Sequence, residues 1–181
     1  MSKKKVNERF QYFSIVLNVR RGESVNWRTL TDNEMVENMI KLKFLTPLEL
    51  GIFFKNFEGV AQNSNVDKSR VRRFKFEGFI GQLEKGLNNG RPHYNLSVMT
   101  SCKVLPSTVV RELSLALYSV EPTHNVDSLN KYCLKLETRL VLPSTIYYPP
   151  LVDIRVSEFI EALEEDEELK KFMTILVCTN E

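Results

Sequence analysis

Cysteine is scarce and unpaired in this chain. Cys102, Cys133 and Cys178 show none of the paired spacings that zinc sites and disulfide frameworks use, so neither is expected, and a reducing compartment is. No apolar run approaches the roughly 18 residues of a membrane-spanning helix. The charged N-terminal stretch lacks the apolar core of a signal peptide. Internal repeats and low-complexity segments are missing as well. Charge of one sign is nearly balanced: the formal net charge of +2 is too small to announce nucleic-acid binding. The expectation is a cytosolic or nuclear protein with no membrane association.

What is present is an ordinary globular balance. The 181 residues, 43% hydrophobic and 27% charged, suffice for one domain with a sizeable core and room for an appendage. The distribution of charge says more than its sum. Lys3-Lys4-Lys5, Arg20-Arg21 and the group Arg70, Arg72, Arg73 and Lys75 are basic, whereas Glu161 to Glu168 is an acidic run that cancels much of this.

Residues 1–9 read as a loose basic arm. Phe10 to Asn18 is β-rich and predicts the first, central strand. Arg20 to Arg28 reads as a polar loop. Thr31-Asp-Asn-Glu34 is a capping box, after which Met35, Val36, Met39, Ile40 and Leu42 recur at helical spacing. Thr46-Pro-Leu-Glu49 repeats the signal, with proline in the first turn, and opens a second helix to about Phe57. Ala61 to Ser69 reads as an exposed loop. Pro106 to Tyr118 predicts a helix with Val109, Leu113 and Leu117 on one face, followed by a short strand from Ser119 to Thr123.

Asn125 predicts the N-cap of a helix running to about Leu140. Its apolar face would be Leu129, Cys133, Leu136 and Leu140, with Ser128, Tyr132, Lys135 and Arg139 alongside. His124 reads as a turn residue. Pro143 to Pro150 is expected to break regular structure, Ser157 to Met173 to form an acidic helix, and Thr174 to Cys178 a terminal strand.

The stretch that carries chemistry runs from Gly81 to Val98. Arg73 to Leu87 and Pro92 to Thr100 predict the strands of a β-hairpin turning at Asn88-Asn89-Gly90, because Asn and Gly tolerate the positive φ of tight turns. A turn centred on Asn88-Asn89 places Glu84 opposite His93; one centred on Asn89-Gly90 places it opposite Asn95. Either register leaves Glu84, His93 and Asn95 on one face and sends Tyr94, Leu96 and Val98 to the other. A carboxylate, an imidazole and an amide oxygen on one face suit a divalent cation with mixed nitrogen and oxygen ligands. The same residues also make an ordinary polar strand face.

Three pieces stand in order: Phe13-Ser-Ile-Val-Leu-Asn18, the Glu84 and His93-Tyr-Asn95 hairpin, and Tyr132-Cys-Leu-Lys135. Together they resemble the HUH-type endonuclease domain of replication initiator (Rep) proteins of circular single-stranded DNA viruses of the circovirus, nanovirus and geminivirus kind. The likeness covers roughly residues 10–140. It includes Gly90-Arg-Pro-His-Tyr, similar to that family's Gly-x-Pro-His-hydrophobic run. The order of the motifs, with a Glu on the partner strand, is more specific than any one of them. Asn95 stands where the family usually has His or Gln, and Leu136 where many relatives carry Glu. No Gly-x-x-x-x-Gly-Lys-Ser/Thr loop for a helicase is present.

The resemblance implies an α+β fold, a ferredoxin/RRM-like antiparallel sheet with helices packed on it; the chain departs from the family by a helical insertion at about 45–70 and a C-terminal extension over 141–181. It implies Mg²⁺ or Mn²⁺ held by Glu84, His93 and Asn95, with Tyr132 as nucleophile and Lys135 beside it. Asn18, Arg20, Arg70, Arg72, Arg73, Lys75 and Arg91 are the expected DNA contacts. The Arg70 to Lys75 cluster reads equally as a strand edge blunted by charge. The implied activity is nicking and joining of single-stranded DNA at a replication origin in the host nucleus, with helicase or host replication proteins as possible partners. A phenol, with an ordinary pKa of about 10, needs help to act as nucleophile. Alternatives are a non-catalytic nucleic-acid-binding module of the same shape, or a virus- or transposon-derived interaction protein working through its acidic C-terminal segment.

Overall fold

A computed structural model describes residues 8–19, 25–61, 72–114, 117–133, 135, 137–138, 140 and 145–148. In chain order the elements are β1 (Phe10–Asn18), a 3-10 turn (Trp27–Thr29), α1 (Asp32–Lys41), α2 (Pro47–Asn56), β2 (Gly59–Ala61) and β3 (Arg72–Phe74). Then come β4 (Phe76–Lys85), β5 (Pro92–Val104), α3 (Pro106–Leu113), β6 (Leu117–Pro122), α4 (Val126–Cys133) and β7 (Thr145–Tyr148). The fold is α+β. Its main sheet has five strands in the order β6-β1-β5-β4-β7, with antiparallel neighbours throughout; β2 and β3 form a separate two-stranded ribbon.

Alternation along the strands sorts residues between two faces. Phe13, Ile15 and Leu17 of β1 lie opposite Val98, Leu96 and Tyr94 of β5, all buried. Leu83 and Phe79 of β4 continue that face. Met35 and Met39 of α1 and Leu50 and Phe54 of α2 join the same core, and the Tyr94 hydroxyl donates to the Leu45 carbonyl at 2.7 Å. Phe54 and Phe57 pack on Phe76 with ring centroids 4.9 and 5.0 Å apart. Each large side chain removed from water in this way contributes about 1.5–3 kcal/mol. The segment expected as a helical insertion therefore supplies core.

Both expected capping boxes form. Thr31 and Glu34 exchange backbone and side-chain hydrogen bonds at the start of α1, and Thr46 and Glu49 do so at α2, with Pro47 in the first turn. β1 is an interior strand, although β5 holds the middle of the sheet.

The structure corrects several sequence expectations. The turn between β4 and β5 is not a two-residue one: Gly86 N–H donates to the Arg91 carbonyl and Gly90 N–H to the Gly86 carbonyl, so Leu87 to Gly90 form a wider loop. Gly90 has φ +68°, which explains the glycine. Of the two registers left open, Glu84 opposite His93 is the one formed. α3 stops at Leu113, where Ser114 turns left-handed (φ 48°), and Leu117 lies in β6 rather than on the helix.

α4 ends at Cys133 instead of continuing to Leu140. Beyond it, Lys85 N–H donates to the Thr138 carbonyl at 2.8 Å and Leu140 N–H to the Leu83 carbonyl at 3.4 Å. The backbone groups along the outer side of β4 need partners, and this segment supplies them in place of further helix. β7 then pairs with Phe79 to Gln82 of β4. Pro143 and Pro149 bracket those four residues rather than interrupt them, so regular structure persists where a break was expected.

Residues 1–7 of the expected arm, Arg20, residues 62–69 of the expected loop, Arg70, Leu136, Arg139, and the expected acidic helix 157–173 and terminal strand 174–178 lie outside the described residues.

Candidate functional site

The expected site residues lie on the side of the sheet away from α1 and α2. Asn18, His93 and Glu84 stand in one row across β1, β5 and β4, with Val16, Asn95 and Gln82 in the next. α4 packs over β4 and β5 on this side. Asn125 caps it as expected, its Oδ1 accepting from Ser128 N–H at 3.0 Å. Cys133 and Asn130 face inward and are buried, leaving Tyr132 on the outer flank with 54% of its surface exposed.

Glu84 is the centre of the site and is fully buried. Its Oε2 accepts from Asn95 Nδ2 at 2.7 Å, pairs with Lys135 Nζ at 3.1 Å and lies 3.4 Å from His93 Nε2. Its Oε1 accepts from Gln82 Nε2 at 3.0 Å. Lys135 Nζ also sits 4.0 Å from the centre of the Tyr132 ring, a cation–π contact. Tyr132, Lys135, Glu84, His93 and Asn95, drawn from α4, the residues just after it, β4 and β5, thus meet at one place.

Electrostatics keep the pair charged. Burial pushes the Glu84 carboxyl up, but hydrogen bonding with His93, Gln82 and Lys135, together with the lysine charge, outweighs it and holds the group below its ordinary value. Burial likewise works to lower the Lys135 ammonium, yet Tyr132 and Glu84 outweigh it and raise the group above its ordinary value. Lys135 is a fixed cation, not a base. For Cys133, burial and then the Glu84 charge push the thiol up to about 12.

The polar atoms also bear on metal binding. His93 Nδ1 faces the Arg91 carbonyl at 3.4 Å, and Nε2 faces both Glu84 Oε2 and Asn95 Nδ2 at 3.4 Å. In the tautomer protonated on Nδ1, Nε2 turns a lone pair toward Glu84 and can share a cation with its carboxylate. Asn95 turns its NH₂ to Glu84, so ligation by its oxygen requires rotation of the amide. The donor set of carboxylate, imidazole and amide fits a cation of mixed preference, with Glu84 and His93 already facing each other. Among the described residues there is no cluster of three His, Cys, Asp or Glu for a metal, as follows when the third donor is an asparagine.

A cleft of about 350 Å³ opens over these groups, lined by Asn18, Leu87, Arg91, His93, Asn95 and Tyr132 among others. Of the expected DNA contacts, Asn18 and Arg91 therefore reach the site. Arg72, Arg73 and Lys75 do not. Lys75 just precedes β4, at the end of that strand away from Glu84, while Arg72 and Arg73 lie in β3, where Arg73 pairs with Glu58 at 3.1 Å on the exposed ribbon. His124 sits in its turn with its ring edge-on to Phe10. Glu137 is exposed and lines a second cleft beyond the hairpin loop. The residue that sequence reasoning passed over is Gln82. Period-two alternation puts it on the Glu84 face, and that was the available signal. No protein-family model matches this chain, and no curated protein or solved structure matches it either.

Proposed function

We propose that this protein nicks and rejoins single-stranded DNA site-specifically through a 5′-phosphotyrosyl ester at Tyr132, as a Rep-type initiator of rolling-circle replication. The observation that carries the reading is the meeting of Tyr132 and Lys135 with Glu84 and His93 beside an open cleft that His93 and Tyr132 line. The antiparallel sheet with helices on both faces is compatible with the ferredoxin-like HUH arrangement that the motifs imply.

In the forward step the Tyr132 oxygen forms a bond to phosphorus as the bond from phosphorus to the 3′-oxygen breaks. The exposed phenol releases its proton to solvent, and the 3′-oxygen takes one up. Lys135, held cationic within reach of the ring, offsets the charge that develops on the phenolic and phosphoryl oxygens. Glu84 fixes Lys135 in place. Arg91 and Asn18 on the cleft wall hold the strand by its phosphates and bases. Mg²⁺ or Mn²⁺ bound by Glu84, His93 and Asn95 would supply Lewis-acid polarisation of the scissile phosphate. Because the ester conserves the energy of the broken bond, attack by a 3′-hydroxyl reverses the step without ATP. Origin DNA, a separate helicase and host replication proteins in the nucleus are the partners of this reading.

One observation favours a second reading. The Lys135 ammonium already neutralises Glu84, and Asn95 presents hydrogens to it, so the site is self-satisfied in the way a non-catalytic DNA-binding module requires. Incubation with a pool of single-stranded oligonucleotides, in Mn²⁺ or EDTA, followed by a denaturing gel and intact mass, separates the two. A Mn²⁺-dependent adduct that disappears in Tyr132→Phe supports the nickase. DNA binding without an adduct, unchanged by EDTA and by Tyr132→Phe, supports the module.

A further inference from the structure

Gln82 is fully buried and does not line the cleft. Its Nε2 donates twice, to Glu84 Oε1 at 3.0 Å and to the backbone carbonyl of Lys135 at 2.6 Å. Both partners are acceptors only, so they dictate which end of the amide points toward them. Lys135 is consequently held at two places: its carbonyl by Gln82 and its ammonium by Glu84.

The surroundings make this bridge more consequential. Among the described residues, every buried side-chain polar atom without a hydrogen-bond partner belongs to Gln82 itself, to Asp127 and Asn130 of α4, or to Thr138 just after it. Asn130 faces inward with neither end of its amide partnered. The bed under α4 is therefore polar and under-bonded, in contrast to the aromatic core beneath α2. A helix seated this way depends on the few polar bonds it does make.

Resting on the function proposed above, we infer that Gln82 is a positioning residue that couples the Glu84 carboxylate to the end of the helix bearing Tyr132, so that cation site and nucleophile are set as one unit. One amide fixes the Glu84 rotamer and the end of α4 together. Outer partners of this kind typically govern metal affinity by about 10–100-fold.

The test compares the whole chain with Gln82→Met, which keeps the side-chain length and apolar stem and removes the donor. Three readouts are taken: Mn²⁺ affinity by electron paramagnetic resonance without DNA, alkylation of Cys133 as a reporter of α4 lifting, and kcat against KM for oligonucleotide cleavage. A cooperative thermal melt establishes that the variant folds; Gln82→Leu, which also lacks the donor and adds no charge beside Glu84, serves if Gln82→Met does not.

The expected result is Mn²⁺ affinity weaker by about 10–100-fold, faster Cys133 labelling, and lower kcat with KM for the oligonucleotide unchanged, because Gln82 does not reach the cleft. Mn²⁺ affinity and Cys133 labelling that both stay at wild-type values overturn the inference. A wild-type chain that forms no adduct, while Gln82→Met still weakens Mn²⁺ binding and frees Cys133, overturns the nicking reaction and upholds the coupling. A wild-type chain with no Mn²⁺ site overturns both.

Discussion

Lys135 and Glu84 form an ion pair at 3.1 Å in which the carboxylate is wholly buried and the ammonium also lies over the Tyr132 ring. This pair locks the segment after α4 to the strand beneath it. Lys135→Met leaves a buried carboxylate short of its cation, and unfolding by urea is expected to show a loss of about 1–3 kcal/mol. An unchanged midpoint would mean that the pair contributes nothing to the fold.

The same carboxylate gives the protein an acid-sensitive component. The Glu84 carboxyl is held below its ordinary value of 4.5, so between the two values the unfolded chain binds more protons and stability rises with pH. The contribution is complete above about 4.5 and is lost as pH falls through the depressed folded value. Urea midpoints measured from pH 6 downward are expected to fall more steeply for wild type than for Glu84→Gln across that window. Parallel curves would assign the acid sensitivity to other groups.

Asn95→His tests the donor set directly. The substitution removes the Asn95 bond to Glu84 and replaces an amide oxygen with a second imidazole, so the preference of the site is expected to shift from Mn²⁺ toward Zn²⁺. Calorimetric titration reads the change. An unchanged ratio of Zn²⁺ to Mn²⁺ affinity would show that residue 95 does not face the cation.

Gly90 holds the hairpin loop against the 3-10 turn. Its φ is +68°, and an added Cβ would stand 2.9 Å from the Arg28 backbone. Gly90→Ala is expected to cost about 1–2 kcal/mol for the left-handed conformation alone and to displace the cleft wall carrying Leu87 and Arg91. A thermal melt and oligonucleotide binding check both consequences.

Cys133 should be inert in the folded protein. Burial pushes its thiol up to about 12, so at pH 8 alkylation is expected at half-buried Cys102 before Cys133. Peptide mass mapping after brief iodoacetamide treatment shows the order. Early labelling of Cys133 would place α4 away from the sheet in solution.

The sequence by itself determined the parts governed by local rules. Capping boxes at Thr31 and Thr46 are contiguous hydrogen-bond patterns, and alternation alone put Glu84, His93 and Asn95 on one face with Tyr94, Leu96 and Val98 on the other. Only the tertiary structure decided where α4 stops, because the competing demand comes from unpaired backbone groups on β4, far away in sequence. It likewise decided that Thr145–Tyr148 completes the sheet, and that Arg72, Arg73 and Lys75 lie far from Glu84 whereas Arg91 is close. Gln82 was visible as a residue on the right face. One acceptor is Glu84, two residues along the same strand, and the other is the carbonyl of Lys135 just after α4, which only folding brings to the same nitrogen.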